Sequence, residues 1–168
     1  MDDEFESVRP ATGEAKPRSG LSLRARAVGL LSRREHSRVE LSRKLATHAQ
    51  SPDELNALLD ALAIEGWQSD ERFVQGLVHR KASQQGLAKI AQELTQQGIG
   101  AAQVAQVRLE LKDSELERAQ GVWQKKFSRN SSPPSPSEYA RQGRFLASRG
   151  FSHDVIHRVL KNPPEFDC

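Results

Sequence analysis

Cysteine and aromatic residues are scarce in this 168-residue sequence, and their scarcity excludes several classes of protein. The only cysteine is Cys168, so neither an internal disulfide framework nor a thiolate zinc site can form. Aromatic residues make up 5% of the chain, too few for a base-stacking sheet or an aromatic-rich sandwich. No apolar run approaches the ~18 residues of a membrane span, and the acidic start, Met1–Glu6, does not resemble a secretory signal. We therefore expect a soluble, cytoplasmic protein.

Sequence markers of catalysis and of cofactor binding are also lacking. No side chain is marked as a nucleophile beside a base, and Gly98-Ile99-Gly100 lacks the further glycine and the preceding strand of a phosphate-binding loop. His153 and His157 are spaced i, i+4, but Asp154 and Cys168 are poorly placed to complete a metal site with them. We predict that the protein is not an enzyme and binds no metal and no cofactor.

Alternating strand patterns are absent, whereas internal self-similarity is strong. Similar stretches begin at Arg26, Arg72 and Arg118, so that each stretch starts 46 residues after the one before it. Each stretch ends in a basic pair, namely Arg33-Arg34, Arg80-Lys81 and Lys125-Lys126. Within the stretches apolar residues recur at helical intervals of three and four. We predict an all-α protein of three tandem three-helix, helix-turn-helix-like repeats that form an elongated, curved array.

The spacing of helix signals divides the chain into segments. We predict repeat 1 at residues 21–66, repeat 2 at 67–113 and repeat 3 at 114–162. The flanking segments, 1–20 and 163–168, are predicted to be disordered tails.

Two local signals are especially clear. The stretch Ser51-Pro52-Asp53-Glu54 supplies an N-cap, a first-turn proline and a capping-box glutamate for a helix that Gly66 ends. Three prolines and several serines predict a loop over residues 128–137, followed by a helix that begins at Ser137 or Glu138.

Charge alternates along the chain although the net charge is only +3. Residues 21–49 and 118–149 each contain seven Lys or Arg, against two acids and one acid respectively. The segment 71–100 is weakly basic, whereas 50–70 and 101–117 are acidic. Three basic blocks in step with three repeats favour an anionic partner over an ordinary solvated surface.

The candidate binding residues are the cations of the basic blocks, some of which would contact protein and others nucleic acid. Each cation placed near a phosphate adds a salt-sensitive increment to affinity. The helix over 52–65 is acidic, which argues against its use as a helix-turn-helix reading head on DNA. The candidates are Arg26, Arg33, Arg34, Arg43, Lys44, Arg72, Arg80, Lys81, Lys89, Arg118, Lys125, Lys126, Arg129, Arg141, Arg144 and Arg149.

Four stretches resemble the bacterial regulatory protein family RecX. Residues 26–45, RAVGLLSRREHSRVELSRKL, resemble the first module of that family, and 66–73, GWQSDERF, resemble its junction into the second. Residues 89–99 and 144–151 resemble parts of the second and third modules. The resemblance covers about 21–162, and the combination of motifs is specific.

Two positions depart from the usual pattern of the family. Trp67 stands where that family usually has tyrosine, and Gln68 where an aliphatic residue is common. Trp67 and Trp123 are both predicted to pack in the core, because Trp67 falls at a helix junction and Trp123 on an apolar helix face.

The resemblance implies a non-enzymatic negative regulator of the RecA recombinase that acts in DNA repair, homologous recombination and the SOS response. Such a protein binds the RecA filament on single-stranded DNA and inhibits its extension, ATPase, strand-exchange and coprotease activities. It implies the RecA filament as partner, a weak direct contact with DNA, no membrane and a monomeric state. The residues themselves leave open a DNA-binding helical-repeat protein that acts without RecA.

Overall fold

The computed structural model describes residues 20–127 and 135–162, and these residues are helical, without a β-strand. The prediction of an all-α protein is confirmed. The helices are α1 (Leu23–Leu31), α2 (Arg38–Leu45), α3 (Pro52–Ile64), α4 (Asp70–Lys81), α5 (Leu87–Gln96), α6 (Ala101–Lys112), α7 (Glu115–Phe127), α8 (Pro136–Ser148) and α9 (His153–Lys161).

The helices pack in threes around three separate apolar cores. We call α1–α3 unit 1, α4–α6 unit 2 and α7–α9 unit 3. The second helix of each unit ends near a leucine that is at most 1% exposed, namely Leu45, Leu94 and Leu146. The predicted array of three-helix repeats is therefore confirmed, and these leucines give the register in which the units can be compared.

Serine caps start most of the helices, as the local sequence predicts. Ser51 Oγ accepts a hydrogen bond of 3.1 Å from the backbone N–H of Glu54, and the Glu54 carboxylate accepts one of 2.6 Å from Gln50 N–H. Gly66 follows α3 with a φ of +77°, a conformation that side-chain-bearing residues rarely adopt. Because these interactions involve residues close together in the chain, the sequence alone predicts the helix that begins at Pro52.

The start of α8 differs from the sequence prediction. The helix begins at Pro136, not at Ser137 or Glu138, and Ser135 forms a capping box with Glu138. Proline is tolerated at the first helical position because its missing N–H would have no partner there, so the predicted loop is too long at its end. Residues 128–134 of that loop lie outside the described residues, as do the predicted tails apart from Gly20.

The two tryptophans have different environments. Trp123 is 6% exposed and its Nε1 donates a 2.9 Å hydrogen bond to Gln142 Oε1, so its predicted burial is confirmed. Trp67 is 45% exposed, and the prediction that it packs in the core is wrong. Its neighbour Gln68 turns inward instead, where its amide nitrogen donates to His36 O and to Asp70 Oδ1. The junction is therefore filled by a hydrogen-bonded amide.

One device recurs where consecutive units meet. The first residue of the following unit's first helix is an acid that caps the second helix of the unit before it. Asp70 Oδ1 accepts a 2.9 Å hydrogen bond from Arg38 N–H, and Glu115 Oε1 accepts one of 3.1 Å from Leu87 N–H. Because Arg38 and Leu87 begin α2 and α5, each carboxylate also faces the positive end of a helix dipole. At both junctions, therefore, a hydrogen bond to a carboxylate of the following unit joins the two units.

Candidate anion-binding grooves

Arg118 lies at the junction of units 2 and 3, where it binds backbone carbonyls of the chain itself. Its Nη1 donates to Ala82 O at 3.0 Å and to Gln85 O at 2.8 Å, and its Nη2 donates to Leu111 O at 3.1 Å. Burial lowers the pKa of Arg118, against the opposing attraction of Glu115. The guanidinium remains charged, and it fastens the α4–α5 turn to α7.

Three further candidate cations reach across the junctions. Arg43 Nη2 donates to Gln96 O at 2.9 Å, and Lys89 Nζ donates to Ser148 O at 3.2 Å. Arg72 Nε donates to Glu35 Oε1 at 2.7 Å, and its Nη2 reaches the carbonyls of Gly66 and Trp67. These side chains have internal partners that stabilise the succession of units.

Other candidates pair with carboxylates inside one unit. Arg34 forms two hydrogen bonds with the carboxylate of Glu40, and Lys44 Nζ lies 3.9 Å from Glu40 Oε1. Lys81 Nζ lies 3.7 Å from Glu93 Oε2 in unit 2. The pairing is tightest for Arg34, whereas separations near 4 Å leave the ammonium groups able to contact another anion.

Five of the remaining candidates, together with Lys44, line two open grooves. The unit 1 groove, of about 300 Å³, lies between α1 and the end of α2. Its rim carries Arg26, Arg33 and Lys44, and none of the residues between positions 20 and 127 that line it is a carboxylate. It is lined by Leu21, Ala25, Arg26, Gly29, Leu30, Arg33, Lys44, Leu45 and His48.

The unit 3 groove, of about 180 Å³, lies between α7, the end of α8 and the α4–α5 turn. Three cations, Lys125, Lys126 and Arg149, line it together with the half-buried ring of Phe145, and none of the described residues in its lining is a carboxylate. Arg149 lies over that ring with its Cζ 5.2 Å from the centroid. The groove is lined by Ser83, Gln84, Val122, Lys125, Lys126, Phe145 and Arg149.

A pair of phenylalanine rings packs at the unit 3 groove. Phe127 and Phe145 meet edge to face with their ring centroids 5.4 Å apart, and Arg141 Cζ lies 6.0 Å from the Phe127 centroid. Such contacts orient guanidinium groups without neutralising them. Arg141 and Arg149 are therefore positioned cations on one side of α8.

The two grooves occupy the same position in their units. The first helices of the units are aligned in sequence by the 46-residue period, and the second helices are aligned by their buried leucines. In this alignment four lining residues of one groove match four lining residues of the other. The matched pairs are Leu30 with Val122, Arg33 with Lys125, Lys44 with Phe145, and His48 with Arg149. In unit 2 the same positions hold Gly76, His79, Glu93 and Gln97. At these four matched positions units 1 and 3 each have two Lys or Arg, whereas unit 2 has none.

Two further candidates, Arg80 and Arg144, are not among the lining residues of either groove. Arg80 and Arg144 are exposed on α4 and α8, and Arg129 lies outside the described residues. His48 and Phe145 line the grooves but are not among the candidates from sequence. The signal that could have found them is the repeat register, because each occupies the position that carries a cation in the other unit.

A cleft of opposite charge lies in unit 2. It has a volume of about 590 Å³ between α4 and α6, and Glu71 and Glu110 line it together with Gln75, Gln103 and Gln106. This acidic cleft provides an internal contrast to the basic grooves.

Neither a metal site nor a membrane span is formed by the residues that the structure covers. Within residues 20–127 and 135–162, no three His, Cys, Asp or Glu side chains are grouped as metal ligands. No helix in the same ranges is long and apolar enough to cross a membrane.

The fold and the grooves define an all-α tandem-repeat protein of three-helix units, two of which carry a basic groove. Sequence models of known families identify residues 69–107 as "RecX, second three-helix domain" and 113–160 as "RecX, third three-helix domain". Regulatory protein RecX from Ralstonia nicotianae is 49% identical over 147 residues, which cover 88% of this chain and 91% of that protein. Regulatory protein RecX from Leptothrix cholodnii is 47% identical over 148 residues, covering 88% and 92%. This chain belongs to the RecX family.

Solved structures of RecX proteins have the same fold. The crystal structure of RecX from Lactobacillus salivarius matches with a TM-score of 0.66 at 18% identity, over 83% of this chain and 92% of that one. A second crystal structure, of a regulatory protein RecX, matches with a TM-score of 0.69 at 20% identity, over 83% and 74%.

Proposed function

We propose that this protein is a negative regulator of the RecA recombinase. It binds the RecA filament on single-stranded DNA and inhibits filament extension, ATP hydrolysis, strand exchange and coprotease activity. In this role it acts in the cytoplasm as a monomer, without an active site or a cofactor. Family membership supports the regulatory role, and the paired basic grooves support an anionic partner.

The observation that carries the proposal is the placement of the two grooves. Both are basic, both have an apolar floor, and they lie in equivalent positions of units 1 and 3. A repeat array that presents the same surface at two points suits a partner that repeats along its own axis. A nucleoprotein filament is such a partner, and two linked weak contacts give it a higher affinity than either groove alone.

A second candidate function is DNA binding without RecA. Phe145 favours it, because a half-exposed ring between Lys125 and Arg149 could stack on a base while the cations contact phosphates. In this case inhibition of RecA would arise only because DNA is removed from the recombinase.

A competition assay separates the two functions. RecA filaments are preformed on single-stranded DNA, and their ATP hydrolysis is followed while the protein is added with increasing excess of free DNA, supplied both as duplex and as single-stranded oligonucleotides too short to carry a RecA filament. Filament binding predicts that the half-inhibitory concentration changes less than about twofold, because the grooves engage the filament more tightly than free DNA. Simple DNA sequestration predicts that inhibition is lost in proportion to the competitor, and this result would refute the proposal.

A further inference from the structure

The two grooves receive different contributions from the part of the chain that precedes them. In the unit 3 groove, the turn of the preceding unit supplies Ser83 and Gln84. In the unit 1 groove, the preceding chain supplies Leu21, which is 69% exposed. Arg26 Nε donates to Leu21 O at 3.2 Å, so the backbone is held at the mouth of the groove. Residues 1–19, joined to Leu21 through Gly20, therefore enter the described structure beside the unit 1 groove.

The chemistry of residues 1–19 complements that groove. The segment contains five acids and three Lys or Arg, and its first six residues, MDDEFE, contain four acids and no cation. Phe5 lies among those acids. The groove offers Arg26, Arg33 and Lys44 around the apolar side chains of Leu30 and Leu45. An acidic peptide with one aromatic residue matches both the charge of the rim and the apolar floor.

We propose that the acidic segment over residues 1–6 docks intramolecularly into the unit 1 groove and competes there with the anionic partner. The tether is long enough, because the residues between Glu6 and Leu21 span up to ~50 Å when extended. Tethering of this length gives an effective concentration on the order of millimolar, so even a weak contact would occupy the groove.

The docked segment would act as a built-in regulator of partner binding. If it occupies the groove about nine-tenths of the time, it weakens the apparent affinity of that groove about tenfold. In the unit 3 groove the part of the chain that precedes it contributes Ser83 and Gln84 and no acid, so the proposed regulation would fall on the unit 1 contact. This regulatory role rests on the proposed function, whereas the docking itself does not.

A spin label tests the docking without any partner. In the full chain carrying Cys168→Ser and Ser7→Cys, a nitroxide is attached at position 7 and amide signals are recorded by NMR. The reporters are Lys44 and Leu45 at the end of α2 and His48 just after it; they line the groove and are remote from the label in sequence. We expect these signals to broaden strongly at low salt and to recover at 0.5 M NaCl, since screening weakens the ion pairs.

Two labelled variants decide the outcome. The first neutralises the segment with Asp2→Asn, Asp3→Asn, Glu4→Gln and Glu6→Gln, and the second reverses the groove with Arg33→Glu and Lys44→Glu. Docking predicts that either set reduces the broadening to that of an undocked tether. Broadening that is absent from the parent chain, or equal in all three proteins, would overturn the proposal.

Inhibition of RecA ATP hydrolysis tests the regulatory role. The neutralised segment is expected to lower the half-inhibitory concentration about three- to tenfold at low salt. A matched variant removes four exposed acids elsewhere, by Asp53→Asn, Glu71→Gln, Glu117→Gln and Asp154→Asn. An equal gain in both variants would mean that net charge alone acts and would overturn the regulatory role. If the parent chain does not inhibit RecA at all, the proposed function fails, while the spin-label result still decides the docking.

Discussion

Replacing Gly86 by alanine is expected to lower the free energy of unfolding by about 2–4 kcal/mol. A Cβ at this position would lie 2.2 Å from Gly150 O and 2.3 Å from Phe151 N, and both obstacles are backbone atoms that cannot turn aside. The junction would have to open, which breaks the 2.8 Å hydrogen bond from Gly86 N–H to Arg149 O. Overpacking costs about 1–3 kcal/mol and each lost hydrogen bond about 1. Urea denaturation followed by circular dichroism measures the change.

Gly100→Ala is the matched control for this experiment. Gly86 and Gly100 both precede a helix as N-cap residues, both have negative φ angles, and neither helix has a side-chain cap bond at that residue. Around Gly100 there is open space for a Cβ, so alanine there should change stability by no more than about 0.5 kcal/mol. Equal stabilities of the two variants would mean that the close approach of units 2 and 3 does not hold in solution.

Reversing the charge of either basic groove is expected to raise the half-inhibitory concentration for RecA ATP hydrolysis about tenfold or more at low salt. The variants are Arg33→Glu with Lys44→Glu in unit 1, and Lys125→Glu with Lys126→Glu in unit 3. These cations line the grooves, whereas Arg43 donates to a carbonyl at a junction and would confound the result. The loss should shrink as salt rises, because screening already weakens the attraction in the parent protein.

The control reverses Arg158 and Lys161, two exposed cations of α9 that line neither groove. It changes the net charge by the same amount, so a general electrostatic effect would appear equally in all three proteins. Full inhibition by both groove variants, with loss of inhibition in the control, would refute the assignment of the grooves as binding surfaces.

The features that the sequence predicts correctly are those set by neighbours along the chain. The start of the helix at Pro52 is predicted correctly because Ser51 and Glu54, which lie within four residues of each other, cap it. The same logic failed at Pro136, where a run of prolines predicts a loop although a proline in the first turn is compatible with a helix. Residue types alone do not distinguish these two situations.

The candidate binding residues depend on contacts between units, and a local pattern carries no information about those. Arg118 and Lys125 are both cations of the basic block over residues 118–149. In the structure, however, Arg118 donates to carbonyls of the preceding unit, whereas Lys125 lines a groove. Trp67 is exposed while its neighbour Gln68 turns inward, where one of its hydrogen-bond partners is His36 O in the turn between α1 and α2. In each case at least one acceptor is a backbone carbonyl more than 30 positions away in the sequence, namely Ala82 O for Arg118 and His36 O for Gln68.

Hydrogen–deuterium exchange of the protein bound to a RecA filament on single-stranded DNA tests the central claim most directly. The account predicts slowed exchange at the two groove-lining segments of unit 1, residues 29–33 and 44–48, and at their counterparts in unit 3, 121–126 and 145–149. Amides along α6, beside the acidic cleft that contains Glu110, should exchange as in the free protein. Protection confined to α6 and the acidic α3, with unchanged exchange at both grooves, would contradict the account.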